Sequence, residues 1–202
     1  FPIMLLVMSA VGVIFSTAPA YAAPVVNVTT FAGTPATVGY ADGLAASAQF
    51  SWPHDIAFDN AGTMYIADTT NNRIRTVSPS GVVSTFAGSG VAGGADGTGT
   101  AAQFSSPHSI AINPTTGIIY VTEASINPAI SPHTPRIRAI TPSGVVTTPA
   151  GSGVAGVLDG TGTAAQFFFP TGITVNPTTG MIYIADSYAH SIRAITPGGV
   201  VT

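Results

Sequence analysis

The sequence predicts an all-β protein in which one unit of four short antiparallel strands occurs three times. The first observation is a recurring frame: residues 50–58 read FSWPHDIAF, residues 104–112 read FSSPHSIAI and residues 167–175 read FFFPTGITV. The second is the abundance of turn formers between short apolar segments, with 23 glycines and 16 prolines. The third is that apolar and polar residues alternate with a period of two, which is typical of strands and not of helices.

Each unit contains four strand-like segments in the same order. The first follows the proline of the frame and ends at a turn, as in HDIAFD at residues 54–59. The second reads TMYIAD at residues 63–68, and the third reads RIRTV at residues 73–77. An SPSG turn leads to the fourth, VVSTFAG at residues 82–88, and a glycine-rich loop then returns to the next frame. Tandem units of this kind are typical of β-propeller blades, so three four-stranded antiparallel blades are predicted.

The repeats divide the chain into three blade units, at residues 28–82, 83–145 and 146–200, within a propeller segment that covers residues 23–202. Residues 1–22 are predicted to be a signal peptide truncated at its start, because an uncharged apolar run is followed by the A-x-A cleavage site Ala-Tyr-Ala. The apolar run is short for a helix that spans a bilayer. We therefore expect a secreted, periplasmic or cell-surface protein with no membrane span in the mature chain.

Composition argues against several kinds of site. The chain has no cysteine, so neither a disulfide framework nor a thiolate metal site can form. Its net charge is −3, and its five arginines are spread over the third strands of the three units. A nucleic-acid partner is not expected, because such surfaces carry a concentrated basic patch.

Six of the eight acidic residues occupy two repeated positions, which indicates a structural role in every blade. The acid that ends the second strand is expected to pair with an arginine of the third strand, as Asp68 with Arg73 or Arg75. The acid of the glycine-rich loop is expected to cap the turn that follows it. Calcium in these loops is the alternative, but each loop carries one carboxylate and a calcium site needs several. The six acids are Asp42, Asp68, Asp96, Glu123, Asp159 and Asp186.

Three motifs resemble those of the NHL repeat family: P-x-x-I-A in the frame, Y-I-A-D followed by R-I-R, and T-P-S-G-V-V-T-T followed by A-G-S-G. The resemblance covers residues 28–202 and recurs in all three units. It implies a propeller, commonly of six blades, that binds proteins, RNA or other ligands through one face, while a few members are enzymes. Three units are half of such a ring. The missing blades are therefore expected from the rest of a longer protein or from another copy of the chain.

The predicted function is that of an exported, non-catalytic binding or scaffold module of the NHL type. An unknown protein or small ligand is expected on the loop face, without a cofactor. The middle unit carries an insertion within residues 124–135 that the other units lack, and its prolines lower the entropy cost of ordering the loop on binding. The candidate contact residues are Ile126, Asn127, Pro128 and His133.

The alternative is a metal-dependent lyase or hydrolase. His54 and His108 follow the prolines of the first two frames, and Thr171 takes that place in the third. The motifs PHDIAFD and PHSIAIN resemble the zinc-binding histidine motifs of the peptidyl-hydroxyglycine amidating lyase, an NHL-type propeller enzyme, and the context of Tyr188 resembles that of its catalytic tyrosine. The resemblance implies zinc at the two histidines. The residues alone predict no tightly bound metal, because two imidazoles fill half of a tetrahedral shell.

Overall fold

A computed structural model describes residues 27–124 and 134–202 of the 202-residue chain. These residues form three antiparallel sheets that follow one another along the sequence. The predicted signal peptide, residues 1–22, lies outside the described residues, and so do the four candidate contact residues of the insertion, Ile126, Asn127, Pro128 and His133.

The described residues contain fifteen strands, five in each sheet. In chain order they are β1 (Gly43–Leu44), β2 (Pro53–Phe58), β3 (Met64–Asp68), β4 (Arg73–Val77), β5 (Val82–Ala87), β6 (Gly97–Thr98), β7 (Pro107–Ile112), β8 (Ile119–Glu123), β9 (Arg136–Ile140), β10 (Val145–Ala150), β11 (Gly160–Thr161), β12 (Pro170–Val175), β13 (Ile182–Asp186), β14 (Ser191–Ile195) and β15 (Val200–Val201). The spatial order in the first sheet is β1-β5-β4-β3-β2, and the other two sheets repeat it. The predicted all-β fold, with antiparallel sheets that form propeller blades, is confirmed.

A fifth, two-residue strand was not predicted. Strands β1, β6 and β11 come from the glycine-rich loop before each sheet and pair with its outer strand, as Gly43 does with Val83. A strand of two residues is too short to show alternation, and glycine is depleted in strands, so the sequence carries no signal for it. The sheets are also offset from the repeat units, because the break between residues 82 and 83 falls inside β5.

The sheets pack face to face, and we distinguish their two faces. The trailing face of a sheet is turned toward the next sheet along the chain, and the leading face is the opposite one. At the first junction Ile74 on the trailing face shares a buried cluster with Ile110 and Val121 on the next leading face. At the second junction Ile137 and Ile184 share the corresponding cluster. Strand β7 contacts both β2 and β12, so these three strands form the inner edge of an arc of blades.

Each blade is held by a buried arginine that lies between two carboxylates. In the first blade Arg75 lies 2.9 Å from Asp68 and 2.5 Å from Asp42. The expected partner of the acid in the second strand is thus confirmed. The expected cap is wrong, because the turns after the second and third glycine-rich loops have no side-chain cap. A guanidinium is a stronger partner for the loop carboxylate than a neutral N–H group. The equivalent sets are Arg138 with Glu123 and Asp96, and Arg193 with Asp186 and Asp159.

The ion pair of the middle blade, between Arg138 and Glu123, is fully buried. The side chains of Arg138 and Glu123 are both fully buried and lie 2.9 Å apart. Only one carboxylate oxygen of Glu123 is hydrogen-bonded, to Arg138 and to the Ser105 N–H, while Oε2 is buried without a partner. Desolvation raises the pKa of Glu123 to about 7, although the charge of Arg138 and both hydrogen bonds act in the opposite direction.

Candidate functional site

The candidate site is the inner rim, which we define as His54, His108, Phe169, Thr171 and Tyr188. The two histidines and Thr171 directly follow the first residue of β2, β7 and β12. In each sheet the first residue of the inner strand pairs with the acid that ends the next strand, and the register then shifts. A bulge of this kind inserts an unpaired residue and re-aims its side chain. The three counterpart residues are therefore presented at the same place on three neighbouring blades.

The structure brings the two predicted histidines into contact. The ring centroids of His54 and His108 are 3.5 Å apart, and the ring planes are inclined by 36°. The Nδ1 atom of His108 lies 3.0 Å from the carbonyl oxygen of Thr171, so one side chain connects all three blades at the rim. Burial lowers the pKa of His108 and the neighbouring His54 lowers it further, while the Thr171 carbonyl and Asp55 act in the opposite direction. His108 is therefore neutral at pH 7.

Aromatic rings continue this contact across the third blade. The ring of Phe169 lies 6.1 Å from that of His108, centroid to centroid, and 4.6 Å from that of Tyr188, on which it stacks. Phe168 lies 6.0 Å from Tyr188. Tyr188 is 58% exposed and Phe168 is 40% exposed, so the end of the row is open to solvent. The buried carboxylate of Asp186 fixes both phenylalanines, because it accepts their backbone N–H groups.

Phe168 and Phe169 are the site residues that sequence reasoning missed. Phe168 takes the place of Ser51 and Ser105 in the earlier frames, and Phe169 takes the place of Trp52 and Ser106. The signal was available as a break in the repeat, since FSSP becomes FFFP. What the sequence could not supply is that Tyr188, nineteen residues beyond Phe169, stacks on the same ring.

The two acids that the repeat left unassigned are structural. Asp55 accepts hydrogen bonds from the Ser109 hydroxyl at 2.6 Å and from the Ile110 N–H at 3.0 Å, which links the first blade to the second. Asp59 accepts the N–H groups of Ala61 and Thr63 and closes the turn after β2. Both carboxylates therefore make hydrogen bonds that hold the fold together.

The rim does not have the geometry of a zinc site. Within the described ranges, no group of three or more histidine, cysteine or acidic residues is placed to hold a metal ion. Tetrahedral zinc at about 2.0–2.1 Å from each nitrogen would hold two imidazole centroids about 5 Å apart, farther than the observed contact. The rings of His54 and His108 instead face each other at 3.5 Å. The third position of the repeat is Thr171, which offers its carbonyl oxygen to His108.

A second concave region shares no lining residue with the inner rim. It is a cleft of about 480 Å³ beside the first blade, lined by Tyr40, Asp42, Arg73 and Thr85 among others. Arg73 lies over the Tyr40 ring and donates hydrogen bonds to backbone carbonyls. Asp42 is paired with Arg75. The charged groups of the cleft are thus occupied by the blade itself, and the rim remains the stronger candidate.

Two sequence comparisons connect the chain to known proteins. The pattern of the NHL repeat matches residues 50–77. Over 81% of this chain, the sequence is 28% identical to Protein SUPPRESSOR OF QUENCHING 1, chloroplastic, from Arabidopsis thaliana. The chain spans only 15% of the length of that relative. Across the described ranges, no helix is both long and apolar enough to cross a membrane.

Solved structures show the same fold. An auxiliary nutrient binding protein from Bacteroides ovatus superposes with a TM-score of 0.58 at 24% identity, over 75% of this chain and 38% of that chain. A catalytically inactive virginiamycin B lyase from Staphylococcus aureus, with quinupristin, superposes with a TM-score of 0.50 at 18% identity, over 74% and 40% of the two chains. These likenesses concern the fold alone. Taken with the matched repeat at residues 50–77, they show a β-propeller fold that contains an NHL repeat.

Proposed function

We propose that this chain is an exported, non-catalytic binding module and that its inner rim holds a small ligand. The observation that carries the proposal is the convergence of residues that break the repeat. Positions shared by all blades serve architecture, whereas Phe168, Phe169 and Tyr188 occur in the third blade alone. The fold gathers them beside His54 and His108. Phe169 is buried, but Phe168 and Tyr188 beside it are exposed, and exposed aromatic side chains of this kind are typical of a binding surface.

The charges of the molecule favour a neutral ligand with a flat apolar face. Three arginines are held between acids, and the other two, Arg73 and Arg136, donate to backbone carbonyls. A ligand carboxylate or phosphate would therefore find no uncommitted arginine. The rim offers ring faces for stacking, with the hydroxyls of Thr171 and Ser187 beside them. The nutrient-binding relative from Bacteroides ovatus is a precedent for binding on this fold and supports no particular ligand.

The single tryptophan provides a direct assay. Trp52 is 76% exposed and lies two residues before His54, so its fluorescence reports on the rim. We would titrate the chain with neutral oligosaccharides and, separately, with nucleosides. Saturable binding is expected for one of these classes, and Tyr188→Ala should weaken it about tenfold, as loss of one stacking ring does. Val91→Ala, at an exposed loop residue, is the matched control. The absence of saturable binding by every probe would remove the small-ligand proposal.

The insertion is proposed as a separate contact surface for a protein partner. Its candidate residues are Ile126, Asn127, Pro128 and His133. Deleting residues 126–134 is expected to leave folding intact, because the other two blades connect the same strands with short turns. Retention of a pulled-down partner should fall in the deletion variant. Unchanged retention would exclude the insertion as the contact.

Export is proposed from residues 1–22 alone. Secreted or periplasmic protein is expected to begin at Ala23, after the A-x-A site. N-terminal sequencing of the exported chain tests this directly. Recovery of uncleaved protein in the cytoplasm would contradict the proposal.

One observation favours the metal-dependent lyase as a second candidate. If Nδ1–H of His108 donates to the Thr171 carbonyl, the lone pair of Nε2 is free to bind a metal, as in many metal sites. The contact between the His54 and His108 rings opposes this arrangement. The test is zinc and calcium analysis of the purified chain beside the variant His54→Ala/His108→Ala. Stoichiometric zinc that is lost in the variant would favour the lyase, and Tyr188→Phe would then test the catalytic tyrosine.

A further inference from the structure

The cleft on the outer edge of the first blade differs from its counterpart in the second blade at one residue. The repeat gives every residue that lines the cleft a counterpart there, and all of these are identical except Tyr40, whose counterpart is Gly94. In the third blade the counterparts of Tyr40 and Arg73 are Val157 and Ser191. Among the three described blades, only the first therefore joins an aromatic ring to an arginine at this place. Because residues that the blades share serve architecture, Tyr40 is the lining residue that architecture does not explain.

The Tyr40 ring is held in place by two contacts. The guanidinium carbon of Arg73 lies 4.3 Å from the ring centroid, a distance typical of a cation–π contact. The side-chain amide of Asn71 donates to the carbonyl oxygen of Gly39 at 2.6 Å, which fixes the backbone directly before the tyrosine. The counterpart of Asn71 in the third blade is Ala189, so that blade has no side-chain amide at this place. A ring that is ordered before a ligand arrives binds it at a lower entropy cost.

The exposure of the cleft does not depend on where the described residues begin. Tyr40 is 59% exposed in the first blade, and Val157 is 65% exposed in the third, although two sheets precede it. The side chains of the loop acids in the three blades are also open, at 49% for Asp42, 51% for Asp96 and 65% for Asp159. A preceding sheet therefore leaves this edge of a blade open to solvent.

The charged groups of the cleft keep part of their hydrogen-bonding capacity. Arg73 donates to two backbone carbonyls, at 3.2 and 3.0 Å, and a guanidinium has five N–H donors. The carboxylate of Asp42 accepts three hydrogen bonds, one from Arg75 and two from Thr85, and a carboxylate has about four lone-pair sites. Each group can therefore take a further partner while its contacts within the blade stay intact.

An arginine beside a carboxylate selects a ligand that both donates and accepts hydrogen bonds. A hydroxyl group does both, whereas Asp42 would repel an anion and Arg73 would repel an ammonium group. Ser89 and Thr100, which carry hydroxyls of their own, line the same cleft. The partly positive C–H face of a sugar ring can pack on the negative face of an aromatic ring such as Tyr40. The volume of about 480 Å³ lies within the range of small-molecule sites, about 300–1,000 Å³.

We propose that this cleft binds a neutral sugar, which packs its C–H face on Tyr40 and shares its hydroxyl groups between Asp42 and Arg73. The cleft shares no lining residue with the inner rim, so the proposal stands whether or not the rim holds a ligand. A free saccharide and a sugar unit of a polymer present the same ring face and hydroxyls, and the experiment distinguishes these two sources.

Isothermal titration calorimetry with cellobiose, maltose and N,N′-diacetylchitobiose tests the cleft, and the variant Tyr188→Ala removes the exposed ring of the rim from the measurement. Saturable binding of one of these neutral disaccharides to Tyr188→Ala is expected. In that background Tyr40→Val and Arg73→Ser should each weaken binding about tenfold, and both install the residue that the third blade carries. Val157→Ala, at the counterpart of Tyr40 in the third blade, is the matched control and should bind as its parent does.

The source of the sugar is tested by retention on insoluble cellulose and chitin, with circular dichroism to check that each variant is folded. Retention that is lost in Tyr40→Val would assign the cleft to a polymer, and disaccharide binding without retention would assign it to a free saccharide. The proposal is overturned if Tyr188→Ala binds neither the disaccharides nor the polymers, or if binding is unchanged in Tyr40→Val. Wild-type binding that disappears in Tyr188→Ala would support the rim and overturn the cleft, so the two proposals fail separately.

Discussion

Replacing Arg138 with methionine tests whether the buried arginine of each blade holds the blade together. The side chain of Arg138 is fully buried and donates to Glu123 and Asp96, both at 2.9 Å, and to the carbonyl oxygens of Gln103 and Ala95. Methionine fills much of the same volume without a charge. Of the hydrogen bonds that Glu123 makes to described residues, only the one from the Ser105 N–H would then remain. Removing one partner of a buried ion pair costs about 3–5 kcal/mol, so we expect a loss of about 4 kcal/mol in the free energy of unfolding.

The size of this loss in unfolding free energy depends on the unpaired charge of the Glu123 carboxylate. The double variant Arg138→Met/Glu123→Gln buries a neutral amide in place of the carboxylate and should recover about 2 kcal/mol. Asp96 needs no such compensation, because its side chain is 51% exposed. Urea unfolding followed by circular dichroism at about pH 8 keeps Glu123 ionised in the wild type, since this lies above its pKa.

Arg193 provides the matched control within the repeat. It lies 3.8 Å from Asp186, and that carboxylate also accepts the N–H groups of Phe168 and Phe169. Arg193→Met therefore leaves a better satisfied acid, and a loss of about 2 kcal/mol is expected. The reasoning is refuted if Arg138→Met costs less than about 1 kcal/mol, or if the change Glu123→Gln recovers nothing in its background.

Three further predictions concern single positions. Because the pKa of Glu123 is raised from 4.5 to about 7 in the folded state, the free energy of unfolding should fall by about 1.4 kcal/mol per pH unit between these two values and level off above them. Urea unfolding of Glu123→Gln at several pH values should lack this slope. If the wild type and the variant show the same pH dependence, the assignment to Glu123 is contradicted. Gly88→Ala should lower the free energy of unfolding by about 2–3 kcal/mol, because φ is 102° and the new Cβ would lie 2.5 Å from the Asn72 carbonyl oxygen. In Gly62→Ala the nearest contact of the new Cβ is 3.7 Å, so the loss should be about 1 kcal/mol. Equal losses in thermal unfolding would argue against the steric explanation. Asp55→Ala should cost about 1–2 kcal/mol through its two hydrogen bonds to the second blade, and urea unfolding unchanged from the wild type would show that this link is dispensable.

The fold followed from the sequence because repetition tests every assignment three times. A strand such as RIRTV at residues 73–77 is short, but its counterparts RIRAI and SIRAI share the alternation, and all three are strands. The two-residue strands could not be predicted, since their pairing depends on where the outer strand lies in space. The role of the loop acids was missed for the same reason: Asp42 and Arg75 are thirty-three residues apart, and the fold alone brings them together.

The candidate site was only partly predictable. His54 and His108 were identified from their shared position, and the structure places their rings in contact. Their function was not determined by that position, because the bulge that re-aims both side chains has no sequence signature. Phe169 lies directly before β12 and Tyr188 lies in the short turn after β13, so their stacking is a property of the folded blade.

The pairing of each two-residue strand with the outer strand of its own sheet has a mechanical consequence. In the middle blade, β6 and β10 are neighbours, with Gly97 opposite Val146 and Thr98 opposite Val145. The polypeptide therefore enters and leaves this blade at adjacent points on its outer edge. A stretching force applied along the chain would open that edge one hydrogen bond after another, as a zipper opens, and would not shear the whole sheet at once. Such a blade would lengthen at low force while its neighbours stay intact, and a new domain could be inserted between blades without rearranging either one.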